Sequence, residues 1–224
     1  MKLLRFGPKG AEKPGLVDQQ GRVRDLSAVI DDVAGAALAP EGLARLAALD
    51  PASLPLAPEG ARIGPCVGRV GKFVAIGLNY ADHAAEAGLP LPVEPILFMK
   101  ATSCLNGPND DVVLPRGSVK TDWEVELGAV IGTEARYVSR EAALDHVAGY
   151  CLVNDVSERA FQTERGGTWD KGKGCDTFGP VGPWLVTRDE VPDPQALRLW
   201  LSVDGAMRQN GSTATMIFPV AELV

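Results

Sequence analysis

Cysteine is scarce: four residues in 224, Cys66, Cys104, Cys151 and Cys175, none of them in a CxxC pair, and only two histidines accompany them. That scarcity argues against a zinc site and against a disulfide framework, and free thiols suit the cytosol. Long apolar runs are also missing, because nowhere do eighteen apolar residues follow one another. Arg5, Gly7 and Pro8 interrupt the stretch in which a signal peptide would need its apolar segment. A membrane span and export by that route are therefore not expected, and a cytoplasmic location is. No cluster of Lys and Arg occurs, and 22 basic against 29 acidic residues leave a net charge of -7. Nucleic acid and anionic membrane surfaces, which need concentrated positive charge, are disfavoured as partners. Neither a GxxxxGK[ST] loop nor a GxGxxG turn opening a helix is found, which speaks against nucleotide and dinucleotide binding.

What is present has an ordinary globular balance, 46% hydrophobic and 23% charged. Short strand candidates begin the chain, KLLRF and GLVDQQGRVRDL, with a turn at Gln19 to Gly21. Two Ala/Leu-rich pieces follow, then Pro51, Pro55 and Pro58, which predicts a small N-terminal domain over residues 1–65 joined by a Pro-rich linker. From residue 66 onward KFVAIGLN, ILFMK, EVELGAVIG, HVAGYCLVND, GPWLV and LRLWLSVDG read as strands with only brief helical pieces between them. Without long amphipathic helices in alternation, a doubly wound sheet is disfavoured, and the expected class is a mixed, strand-rich α+β fold.

Three stretches carry chemistry. In TDWEVELGAVIG an extended strand would put Glu124 and Glu126 on one face and Val125, Leu127, Ala129 and Ile131 on the other. Two neighbouring carboxylates in an apolar segment need a counter-charge: a divalent metal, two salt-bridge cations, or else water along an edge strand. HVAGYCLVND runs apolar until Asp155, and three carboxylates on adjacent strands suit hard Mg²⁺ better than zinc. In GLNYADHAAEAGLP, Asn79 or Asp82 can cap a short helix that Gly88 and Pro90 end. His83 and Glu86, three apart, share its face, either as an imidazole oriented by a carboxylate for acid/base work or as a surface pair. His146, in EAALDHVAGY, which reads as helical, fits packing or surface better. In RGGTWDKGKGCDTFGPVGP the glycines give a flexible backbone bearing Lys171 and Lys173, an anion cradle or a solvated turn.

Taken together, NYADHAAE, DWEVELGAVIG, NDVSERAFQ, GKGCDTFGPVGPW and TATMIF, in that order, resemble the fumarylacetoacetate hydrolase family from about residue 70 onward. The N-terminal lobe is similar to the small variable domain of many members. The resemblance implies a mixed β-sheet roll, a homodimer, and Mg²⁺ or Mn²⁺ in the catalytic domain over residues 66–224. It implies Glu124, Glu126 and Asp155 as metal ligands and His83 with Glu86 as the water-activating pair. It places Lys173 at the substrate, with Gln162, Arg159 and Lys100 near the substrate's polar groups.

Two departures from the family pattern stand out. SERAFQ replaces the frequent SARDxQ, so Ala160 stands where many members have an acidic residue, and no TGTPxGVG motif precedes Val224. MIFPVAELV reads as the opening of an apolar-faced helix, so the expectation is a catalytic domain truncated at its C-terminus. NDVSERAFQ with GGTWDKGKGCDTFGP is most similar to bacterial 2,4-diketo-3-deoxy-L-fuconate hydrolases and to members described as ureidoglycolate lyases. The implied activity is metal-dependent hydrolysis of a C–C bond in a 2,4-diketo acid, releasing pyruvate. Its alternatives are ureidoglycolate lyase, oxaloacetate decarboxylase, hydroxymuconate isomerase, or a metal-binding fragment without activity.

Overall fold

A computed structural model describes the whole chain, Met1–Val224. Its first seven strands are β1 (Lys2–Phe6), β2 (Lys13–Val17), β3 (Val23–Asp25), β4 (Phe73–Gly77), β5 (Ile96–Lys100), β6 (Leu105–Asn106) and β7 (Thr121–Asp122). The remainder are β8 (Val125–Ile131), β9 (Val147–Asn154), β10 (Ser157–Glu158), β11 (Gly179–Pro180), β12 (Leu185–Thr187), β13 (Arg198–Val203) and β14 (Ala206–Ser212). Six of them form the main sheet in the order β3-β2-β1-β12-β9-β8, antiparallel throughout. The parallel pair β6 and β11, with the hairpins β4–β5 and β13–β14, makes the architecture mixed, as expected. Helices are few and short: α1 (Pro40–Ala47), α2 (Ala81–Ala87), α3 (Arg140–Ala143), α4 (Arg159–Thr163), α5 (Asp170–Lys173) and α6 (Val220–Leu223). None is long and apolar enough to cross a membrane.

The strand β9, VAGYCLVN, is buried along most of its length because β12 and β8 flank it and core side chains cover it. That is why it reads as a nearly continuous apolar run. Leu3, Leu26, Val33 and Leu46 from the first fifth of the chain pack in one cluster with Ala148, Val153 and Leu185. The Pro-rich stretch after residue 50 lies along β3, where Asp25 N donates to Pro55 O (2.8 Å) and Ala57 N to Val23 O (2.9 Å).

Two local expectations are corrected. EAALDHVAGY is not helical throughout: α3 stops at Ala143, a 3₁₀ turn covers Leu144–His146, and β9 begins at Val147 because Val147 and its successors pair with β8. Neither Asn79 nor Asp82 caps α2. Tyr80 is the N-cap and makes no side-chain cap bond, while Gly88 ends the helix in the left-handed region at φ 64°, as glycine there allows.

Candidate active site

The register of β8 on β9 brings the carboxylates together. Val125 faces Asn154 and Glu126 faces Val153, and just beyond the strand ends Asp155 N donates to Glu124 O at 2.9 Å. Asn154 Oδ1 accepts from Glu124 N (3.1 Å), which holds the Glu124 backbone at that edge. Glu124 and Glu126 do share one face, as alternation requires. That face looks inward, for Val130 packs against the main core and a Cβ on Gly128 would meet Val153 and Cys151; Glu126 and Asp155 also line a cavity of about 670 Å³ together with Tyr80 and Lys100. The apolar side is the more open one, for Ile131 is 46% exposed. β8 is an edge strand, and on its outer face Leu127 packs against Tyr150 and Val220 while Ala129 and Ile131 lie exposed.

Three cations converge on these acids. Lys173 Nζ lies 2.6 Å from Glu124 Oε2 and 2.8 Å from Asp155 Oδ2. Lys100 Nζ lies 2.6 Å from Asp155 Oδ1 and also donates to the carbonyl of Lys173. Arg159 reaches Asp122 Oδ2 (2.8 Å) and Glu124 Oε1 (2.6 Å), and its Nη1 donates to Gln162 Oε1 at 3.0 Å. Lys100 is 1% exposed, Lys173 3% and Asp155 6%, so these pairs are withdrawn from water, where an unpaired charge would be costly.

The position of Lys173 follows from how its loop is docked. Trp169 meets Phe98 edge-to-face at 5.4 Å, Asp170 Oδ1 accepts from Met99 N (3.0 Å), and Lys173 Nζ stands 5.2 Å from the Phe98 ring centre. Gly172 lets α5 press onto its neighbours, since a Cβ there would come within 2.4 Å of Glu158 O and 2.6 Å of Gln162 N. The two readings of this loop, anion cradle or solvated turn, divide between its two lysines. Lys173 alone enters the site, while the exposed Lys171 donates to Arg165 O (2.7 Å).

The charge count decides what the site still lacks. Asp122, Glu124, Glu126 and Asp155 face Lys100, Lys173 and Arg159, four acids against three bases, and Glu126 is the acid with no ion-pair partner. Burial, and then the charges of Glu124 and Asp155, push its carboxyl up to about 8. Asp155 Oδ1, although close to Lys100, has no aligned hydrogen-bond donor. An all-oxygen set with one uncompensated carboxylate fits a hard divalent cation. The carboxylates do not gather around one point, because the Lys173 ammonium stands between Glu124 and Asp155.

His83 and Glu86 stand apart from this cluster. Both lie on exposed positions of α2, and the His83 side chain contacts none of the carboxylates. Asn79 and Asp82 have other work: the Asn79 amide clamps the Phe218 backbone, and Asp82 Oδ1 accepts from Thr215 Oγ1 (3.1 Å). Glu158, which sequence reasoning did not single out, is fully buried. Burial would raise its pKa, but the Ser118 hydroxyl and the N–H groups of Lys120 and Ala160 outweigh that and hold it low. It caps α4, and so sets the start of the helix that carries Arg159 and Gln162. An acid just before RAFQ was its only sequence signal. Ala160, the departure from the family pattern, is buried in that first turn.

Residues 72–224 match the family described as fumarylacetoacetate (FAA) hydrolase C-terminal. The chain belongs to the fumarylacetoacetate hydrolase family, and as a member it is an enzyme of hydrolase type. A Burkholderia ambifaria protein named only as a hydrolase is 68% identical over 224 residues, which are 100% of this chain and 79% of that protein. Among solved structures, a fumarylacetoacetate hydrolase from psychrophilic Exiguobacterium antarcticum is similar with a TM-score of 0.82 at 32% identity, over 100% of this chain and 79% of that one. Maleylpyruvate hydrolase from Sphingobium sp. SYK-6, in complex with manganese(II) and pyruvate, matches with a TM-score of 0.80 at 28% identity, over 100% of this chain and 81% of that one.

Proposed function

We propose that this enzyme is a divalent-metal-dependent hydrolase that cleaves the C3–C4 bond of a 2,4-diketo acid, an acylpyruvate or a diketo-deoxy sugar acid, and releases pyruvate. The observation that carries the reading is the buried ammonium of Lys173 set between Glu124 and Asp155 beside the unpaired Glu126. Carboxylates able to serve as ligands for a cation thereby stand beside a buried positive group able to offset the charge of a leaving enolate, and two of them, Glu126 and Asp155, face the cavity. The manganese and pyruvate held by the Sphingobium enzyme support the same reading.

When bound, Mg²⁺ or Mn²⁺ held by Glu124, Glu126 and Asp155 supplies Lewis acidity to the 2-oxo acid end of the substrate. Lys173 neutralises the enolate oxygen as charge develops, in a place that excludes water. Arg159, Gln162 and Lys100 bind the substrate's polar groups. His83 takes a proton from water as the water oxygen bonds to C4, and Glu86 orients the imidazole. The C3–C4 bond breaks, its electron pair passes into the pyruvate enolate, and C4 leaves as a carboxylic acid. Returning the proton to C3 gives pyruvate. This role for His83 asks α2 to bring the imidazole from its exposed position to the cavity mouth.

The test is pyruvate release from a panel of acylpyruvates and diketo-deoxy sugar acids, with ureidoglycolate and oxaloacetate beside them, in Mg²⁺ and again after EDTA. EDTA-sensitive pyruvate from a diketo acid is the expected result. Urea and glyoxylate from ureidoglycolate, with no diketo acid cleaved, would replace this reading with the lyase. The reading also takes the enzyme as a cytoplasmic homodimer, and a monomer mass by light scattering would remove the dimer from it.

A further inference from the structure

Tyr80 is held from several directions. Asn79 Nδ2 donates to Phe218 O (3.0 Å), and Asn79 Oδ1 accepts from Phe218 N (2.9 Å). Ile217 N donates to Asn79 O (2.8 Å), and Ala84 N donates to Tyr80 O (3.0 Å) in the first turn of α2. Tyr80 itself forms an antiparallel bridge with Met216. With its backbone pinned in this way, the Tyr80 side chain lines the same cavity as Glu126, Asp155 and Lys100.

Its hydroxyl is buried and has no hydrogen-bond partner. That is unusual, since the polar end of a buried tyrosine is nearly always satisfied. Burial, and then the nearby charge of Glu126, raise the phenol's pKa, so the hydroxyl remains a proton donor and lies within the field of that carboxylate. Glu126 is also the one acid of the cluster without a cationic partner. A buried phenol without a well-aligned partner and the carboxylate without a cation thus line the same cavity, close enough for each to act on the other.

Resting on the metal-dependent reading above, we infer that Tyr80 is a positioning residue for the metal centre: its hydroxyl donates a hydrogen bond to the Glu126 carboxylate when a divalent cation is held there. Carboxylates that ligate metals are themselves hydrogen-bonded, and losing such a partner lowers metal affinity by about 10- to 100-fold. A donor on a pinned backbone limits the orientations open to Glu126, which is what a ligand on an edge strand needs.

Mn²⁺ titrations of the full chain, followed by the free-ion EPR signal at fixed pH, compare the wild type with Tyr80→Phe, which removes only the oxygen. The expected result is at least about a 10-fold rise in Kd with the melting temperature of the metal-free protein unchanged, a combination that a merely structural role would not produce. An unchanged Kd in Tyr80→Phe overturns the role of Tyr80 and leaves the metal centre standing. Failure of the wild type to bind Mn²⁺ overturns the metal reading and this inference with it. The tyrosine absorption band supplies a second readout, because the other two tyrosines, Tyr137 and Tyr150, lie outside the cavity lining. Mg²⁺ should perturb that band in the wild type and not in Tyr80→Phe. Should Tyr80→Phe fail to fold, a wild-type band that Mg²⁺ leaves unperturbed overturns the role.

Discussion

The amide of Asp155 donates to the carbonyl of Glu124 across 2.9 Å, so two carboxylates 31 positions apart in the chain stand side by side at the end of the β8–β9 pairing. Lys173 closes the arrangement from a third element.

Removing two of the three proposed ligands should abolish the metal site. A Glu124→Ala, Glu126→Ala double variant is expected to lose stoichiometric Mn²⁺ binding in equilibrium dialysis, because Asp155 alone cannot hold a hard cation that takes six oxygen ligands or more. Stoichiometric binding retained by that variant would place the metal elsewhere.

The metal-free protein should lose stability with rising pH on account of Glu126. Burial, and then Glu124 and Asp155, raise its carboxyl from 4.5 to about 8, so the folded chain keeps a proton that the unfolded chain has released. This group's contribution is complete below 4.5 and is lost as pH rises through about 8. Urea melts between about pH 5 and about pH 9 should show a fall of about 4 kcal/mol that is absent in Glu126→Gln. A wild-type profile no steeper than that of the variant would contradict the assignment.

His83→Ala should separate binding from turnover. The side chain is exposed, so the melting temperature should barely move, and Mn²⁺ affinity should stay near that of the wild type. In an assay on the cleaved diketo acid, kcat should fall about a hundredfold or more. Glu86→Gln should give a smaller loss in the same direction. Near-normal turnover in His83→Ala would remove the imidazole from the chemistry and favour decarboxylation.

Gly172→Ala should damage the site without touching any charge. The added Cβ would meet backbone atoms, Glu158 O at 2.4 Å and Gln162 N at 2.6 Å, which cannot rotate away as a side chain would. A loss of about 1–3 kcal/mol in denaturant melts is expected, together with weaker substrate binding as Lys173 is displaced. A variant of full stability and activity would show that α4 and α5 are not pressed together in solution.

Much of the local structure was legible in the residues. Alternation put Glu124 and Glu126 on one face, and Gly88 marked the end of α2. The absence of long amphipathic helices disfavoured a doubly wound sheet, and the main sheet is antiparallel. The motifs from NYADHAAE to TATMIF named the family that residues 72–224 match. Asn79 shows where such reading stops: its type and place suit a helix cap, yet its amide is taken by Phe218, 139 positions later. Glu158 looks like any surface acid in the sequence, and it is buried only because Ser118, Lys120 and Ala160 surround it with donors.

Residue type and short-range spacing set the strand periodicity, the turns, the acidic surplus and the stock of possible ligands, since these depend on backbone preferences within a few residues. Tertiary structure decided which face of β8 turns inward, which of the two loop lysines enters the site and which acid remains without a cation. Those outcomes depend on contacts such as Lys173 with Glu124, 49 positions apart, and on the desolvation that packing imposes, neither of which a local pattern encodes.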